Sequence, residues 1–246
     1  MELARLTRQE LMQQQESLQR QFDDFRKAGL KLDLTRGKPS AEQLTLSNQL
    51  DSMLDGYFLL QDGTDVRNYG GILGTMEARR LGAEMLGTEP EEVLAGGNSS
   101  LMLMYQMINF AHMHGLQGRG TSWQAEAQQQ QGQVKFLCPV PGYDRHFTMC
   151  EFFGIEMINI PFNEDGPDMD KIEALVAADP LVKGIWCVPK YSNPTGHTYS
   201  DDTVRRMAAL GESAGTNFRI MWDNAYVVHH LTDQPAELLN IMQECR

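Results

Sequence analysis

The chain has 246 residues, with 21 Lys plus Arg against 33 Asp plus Glu and a formal charge of −12 at pH 7. That balance argues against a general nucleic-acid binder, because a phosphate backbone is gripped mainly by clustered Lys and Arg. A composition of 41% hydrophobic and 22% charged residues excludes global disorder and fits one large domain or two small ones.

Residues 3–28 are rich in Gln, Glu, Arg and Leu, and Leu3, Leu6, Leu11, Leu18, Phe22 and Phe25 fall close to a helical period. The pattern predicts an amphipathic helix ended at Gly29, then an extended piece from Leu30 to Thr35 that stops at the turn Arg36-Gly37-Lys38-Pro39. Beyond it, short apolar runs bounded by Gly or Pro (Glu92–Ala95, Val134–Cys138, Glu156–Ile160, Gly184–Val188 and Arg219–Trp222) alternate with helical patterns near 99–114, 145–153, 168–178, 201–214 and 235–244. Such alternation predicts an α/β fold, a mostly parallel sheet with flanking helices. The polar stretch Gly118–Gln133, with four consecutive Gln, reads as a surface loop.

No apolar run reaches the ~20 residues of a membrane helix, and the first residues run into polar sequence rather than a signal-peptide core. The expectation is a cytoplasmic protein with neither membrane nor nucleic acid as partner. Cys138, Cys150, Cys187 and Cys245 form no CxxC pair and read as small buried hydrophobes or free thiols. The pairs His112/His114 and His229/His230 have no acidic or thiol cluster nearby to complete a coordination set, so no metal site is expected.

In parallel sheets the ligand gathers at the carboxyl ends of the strands. There the sequence places Gly96-Gly97-Asn98-Ser99-Ser100, Pro139-Val140-Pro141-Gly142-Tyr143, Pro189-Lys190-Tyr191-Ser192-Asn193-Pro194-Thr195-Gly196 and Asp223-Asn224-Ala225-Tyr226. Ser99 and Ser100 ahead of an apolar helix suit a phosphate, or serve as a helix cap. Neither GxxxxGK[ST] nor a GxGxxG after a strand is present, which weakens nucleotide readings. Asp223 arrives from an apolar strand and needs a cation or donor beside it; a protonated ring nitrogen would fit, and so would a cap on the following turn. Tyr226 offers a phenol, Asn193 an amide and Tyr143 a flat platform for a ring, each with packing in the core as its alternative.

Taken in order, these motifs resemble fold type I pyridoxal 5′-phosphate enzymes, the aspartate aminotransferase superfamily. The nearer resemblance is to its bacterial aspartate-aminotransferase-like subgroup, carried by Leu34-Thr35-Arg36-Gly37-Lys38-Pro39, Asn68-Tyr69-Gly70-Gly71, Pro141-Gly142-Tyr143-Asp144-Arg145-His146, Asn193-Pro194-Thr195-Gly196 and Trp222-Asp223-Asn224-Ala225-Tyr226. The resemblance implies that Asp223 pairs with the pyridinium nitrogen, Asn193 and Tyr226 hydrogen-bond the ring 3-oxygen, and Tyr143 stacks on the ring. It further implies that Ser99 and Ser100 hold the phosphate, that Tyr69 reaches a phosphate across a homodimer interface, and that Gly37 lies beside the substrate carboxylate. Residues 1–45 would form an N-terminal helix and arm within the small domain, and residues 46–246 an incomplete cofactor-binding large domain.

The family binds its cofactor as a Schiff base on a lysine in a later strand-end loop, and that lysine moves the substrate proton. Here the last lysine is Lys190 and none follows Asp223. The expectation is therefore the N-terminal part of an aminotransferase moving an amino group from an aspartate-like amino acid to a 2-oxo acid, inactive at this length. In the family's sheet order, Glu92–Ala95 would lack its pairing strands. The alternatives are a C–S β-lyase of the same fold and a noncatalytic remnant. A regulator would need a DNA-binding module, and fewer than 40 residues precede Gly37.

Overall fold

Helix α1, Arg8–Lys27, starts where Thr7 and Glu10 cap each other: the Thr7 hydroxyl accepts from the Glu10 N–H (3.3 Å) and the Glu10 carboxylate from the Thr7 N–H (2.8 Å). It ends before Gly29, whose φ of +60° reverses the winding. In the computed structural model, residues 5–31, 39–51, 53, 56–118 and 120–245 are described, and the chain divides into two units, residues 1–59 and 60–246. The first unit holds α1 and the short α2, Ala41–Thr45. Its apolar stripe, including Leu18, Phe22 and Phe25, is exposed.

The second unit is α/β. Helices α3 (Met76–Leu86), α4 (Ser100–Asn109) and α5 (Trp123–Gln129) precede β1 (Lys135–Val140), α6 (Asp144–Phe152), β2 (Glu156–Asn163), β3 (Gly166–Pro167) and α7 (Met169–Ala178). They are followed by β4 (Val182–Cys187), α8 (Asp201–Ala209), β5 (Arg219–Trp222) and α9 (Ile241–Glu244). The sheet order is β3-β2-β1-β4-β5; all pairs are parallel except the β2–β3 hairpin. Successive residues of a strand face opposite sides, so Leu137, Ile185 and Cys187 enter one apolar core with α7 and α8, while Phe136, Cys138 and Trp186 enter another with α5 and α6.

Three expectations need correction. Glu92–Ala95 is not a strand: a 3-10 turn occupies Pro90–Glu92, and the carbonyls of Pro90 and Val93 accept from the Arg79 guanidinium (3.0 and 2.9 Å) rather than from a neighbouring strand. Gly118–Gln133 is not simply a loop, since it contains α5, capped by Ser122 on the Ala125 N–H (3.2 Å). Trp123 and Ala127, four residues apart, share its buried face, and composition dominated by Gln hid that pair. Of 235–244 only the last turn is helical, beginning where Asn240 caps the Met242 N–H.

Cys138, Cys150 and Cys187 are buried and Cys245 is exposed, all as free thiols. Among the described residues no helix is long and apolar enough to cross a membrane.

After α4 the chain continues as a π-helical turn, Phe110–His114, which buries His112 against the Phe153 ring (5.7 Å between centroids). Among the described residues its Nδ1 finds no partner, and burial pushes the imidazole below its ordinary range. The unfolded chain therefore takes up this proton first. Stability from this site is full above about pH 6.5 and declines as the pH falls below it. His112→Leu should lose less melting temperature than the unmodified chain between about pH 7.5 and pH 5. Parallel melting curves for the two proteins would sink this assignment.

Candidate functional site

The backbone N–H of Asp223 donates to the Cys187 carbonyl (2.8 Å), so the β4–β5 ladder extends one residue past the strand and fixes where this side chain leaves the sheet. One carboxylate oxygen accepts from the Ala225 N–H (3.2 Å), the local cap foreseen as an alternative. The other lies 3.1 Å from Nε2 of His146, in the first turn of α6. Their side chains are 11% and 2% exposed. With the carboxylate ionised, Nε2 must carry the hydrogen, which gives the buried anion the donor it requires.

His146 is held on two sides. Its ring stacks on Trp186 of β4 (4.2 Å between centroids, 7° between planes) and meets the Tyr143 ring edge-on (5.1 Å, 87°). Tyr143 and His146 lie three positions apart across the start of α6 and so share a face. The turn that delivers them is tight: a Cβ on Gly142 would stand 2.6 Å from the Pro139 carbonyl oxygen and 2.8 Å from the Phe147 ring. Burial raises the Tyr143 phenol above its ordinary range, with Asp144, Tyr226 and Asp223 adding to the effect and Arg145 opposing it. Tyr143, Tyr226 and Asp223 therefore share one electrostatic neighbourhood.

Asn193 completes the group, its amide donating to the Tyr226 hydroxyl (3.3 Å) across 33 residues of chain. Tyr143, His146, Trp186 and Asn193 also line one narrow cleft. A wider cavity of about 590 Å³ borders Lys190, Trp222, Asn224 and Val227.

Ser99 and Ser100 are exposed at the start of α4, where the Ser99 hydroxyl accepts from the Met102 N–H (3.3 Å) as the N-cap. No described hydrogen bond links them to the Asp223 group. Tyr69 is 99% exposed, and Gly37 lies outside the described residues. His146 and Trp186 are the participants to which the sequence assigned no role. The available signals were the place of His146 in the Pro141–His146 motif and its three-residue interval from Tyr143.

The donor set suits a flat heterocycle with a protonated nitrogen and an anionic ring oxygen. A buried carboxylate backed by an imidazole stands ready for the first, and an amide–phenol pair for the second. Ser99 stands at the N-terminus of a ten-residue helix, a setting that favours phosphate.

Residues 6–246 match the family described as aspartate amino-transferase. An aspartate aminotransferase of Corynebacterium glutamicum is 49% identical over 228 residues, covering 92% of this chain and 51% of that protein. The crystal structure of an aspartate transaminase from C. glutamicum shares 46% identity at a TM-score of 0.83, over 98% of this chain and 55% of that one. An alanine aminotransferase from Pyrococcus furiosus shows the same fold at 21% identity and a TM-score of 0.50, over 71% of this chain and 40% of that one. This chain spans about half the length of the C. glutamicum proteins. With the match running over almost all of its residues and the fold shared with an aspartate transaminase, the chain belongs to the aspartate aminotransferase family.

Proposed function

We propose that these residues form the cofactor-holding part of an aminotransferase that binds pyridoxal 5′-phosphate and moves an amino group from an aspartate-like amino acid to a 2-oxo acid. The observation that supports this reading best is the convergence of the His146–Asp223 pair, Tyr143 and the Asn193–Tyr226 pair at the carboxyl ends of β1, β4 and β5. When bound, the cofactor supplies an electron-accepting ring.

The chain's own residues hold that ring in a chosen protonation state. Asp223 would hold the protonated ring nitrogen, and His146 aims Asp223 by donating to its second oxygen. Asn193 and Tyr226 donate to the ring oxygen, and Tyr143 covers one face and excludes water from it. Ser99 and Ser100 take the phosphate, Tyr69 serves a neighbouring subunit in a homodimer, and Gly37 leaves room for the substrate carboxylate. These roles follow the family resemblance, and the protein is proposed to act in the cytoplasm.

No lysine follows Asp223 in these 246 residues, so a polypeptide limited to them is expected to bind the cofactor non-covalently and to show no transamination. A chimera in which they replace the matching half of the C. glutamicum aspartate aminotransferase is expected to transfer the amino group of aspartate to a 2-oxo acid. A chimera that folds and binds the cofactor but transfers no amino group would sink the proposal.

A further inference from the structure

Lys190 and Tyr191 stand between the end of β4 and Asn193, and both reach across to the segment that carries Tyr226. Lys190 is 8% exposed and among the described residues its ammonium makes no ion pair; it donates to the carbonyl of Val227 (3.3 Å), the residue after Tyr226. A buried ammonium is costly unless its partners are well placed, and here the partner is main chain beside a proposed ligand contact. The ammonium also lies 5.4 Å from the centroid of the Tyr191 ring.

Tyr191 has a φ of +52°, an outlier for a bulky side chain of the kind that clusters at functional sites. From that position its hydroxyl pairs with Nδ1 of His230 (3.1 Å) and accepts from the Ala236 N–H (3.2 Å). The loop itself is closed by its own bonds: Ser192 N–H to the His197 carbonyl (2.8 Å), Gly196 N–H to the Ser192 carbonyl (2.6 Å) and Tyr199 N–H to the Pro189 carbonyl (2.8 Å). Among the described residues, the hydrogen bonds joining this loop to residues 224–236 are those of Lys190, those of Tyr191 and the Asn193–Tyr226 bond. The clasp thus grips the second segment just beyond Tyr226 and again at residues 230 and 236.

We infer that Lys190 and Tyr191 are positioning residues that hold the Asn193 amide and the Tyr226 phenol at one spacing, and so set the polarity felt by a cofactor's ring oxygen. The part that concerns the cofactor rests on the reading proposed above; the clasp itself does not.

The test uses the 246-residue chain with Tyr191→Phe, which removes only the hydroxyl, and Lys190→Met, which removes the ammonium at similar length. In the ligand-free protein, amide exchange across residues 227–236 is expected to speed up about tenfold in each variant, while the amides of β1 and β4 keep their protection. With pyridoxamine 5′-phosphate as probe, the bound 3-hydroxyl is expected to ionise at a higher pH in both variants than in the unmodified chain, because displaced donors stabilise the oxyanion less. Unchanged exchange at 227–236, or a rise spread equally over residues 60–246, overturns the clasp. Local exchange that rises while the 3-hydroxyl titration stays put overturns the positioning role. Failure of the unmodified chain to bind the probe removes the cofactor reading, and the exchange measurement still decides the clasp.

Discussion

Asp223→Asn is expected to weaken binding of pyridoxal 5′-phosphate to the 246-residue chain by about 2–4 kcal/mol, thirtyfold or more, the effect of removing one partner of a buried charge pair. The substitution keeps the shape of the side chain and leaves an oxygen for the Ala225 N–H, so the turn after β5 should survive. What it removes is the anion that His146 backs from a nearly closed position. The ring nitrogen of the bound ligand should then lose its proton at a lower pH than in the unmodified protein, since its charged form no longer meets an opposite charge. An ultraviolet titration of the bound ligand reads that change directly. Equal affinity together with an unchanged nitrogen titration would remove Asp223 from the site.

Lys183→Ala is expected to lower unfolding stability by about 3–5 kcal/mol, the usual cost of breaking a buried ion pair on one side. Lys183 is fully buried in β4, where its ammonium pairs with the Glu126 carboxylate on α5 and donates to the Thr216 carbonyl (2.7 Å). Glu126 also accepts from the Asn217 amide, and the Trp123 indole donates to the Asn217 carbonyl (2.8 Å). Helix α5 is thereby tied both to the inner strand β4 and to the turn before β5. Losing the cation leaves a largely buried carboxylate without its countercharge, a substantial part of the roughly 5–15 kcal/mol that holds a typical domain together. The double variant Lys183→Met with Glu126→Leu should recover much of the loss. Urea denaturation measures both; a single variant within about 1 kcal/mol of the parent would show that the pair contributes nothing.

The sheet was largely legible because its strands are short apolar runs punctuated by Pro and Gly, and Arg219–Trp222 has the same limits in sequence and structure. Glu92–Ala95 is apolar enough to read as a strand, but a strand exists only through its neighbours, and the family's sheet order already led to the expectation that this run would lack them. Helix α5 was hidden for the opposite reason: two buried side chains decide its fate, while the count of Gln residues sets the impression. Strand-end placement singled out Asp223, Asn193, Tyr226 and Tyr143. His146 escaped because its part depends on a contact with a residue 77 positions away, which no local pattern encodes. Ser99 was ambiguous in sequence and keeps both readings, since a capping serine is also the first hydroxyl an incoming anion would meet.

The bond from the Asp223 N–H to the Cys187 carbonyl ties the acid's direction to the pleat of the sheet itself. Alternate positions of a strand point to opposite sides, so adding or deleting a single residue between Phe218 and Trp222 would swing the carboxylate away from His146 and bring Trp222 or Asn224 into its place. This stretch can therefore accept an exchanged side chain more readily than a change in length, which would misdirect the acid. An inserted or deleted residue would be accommodated with less consequence for Asp223 in the connections on either side of the strand.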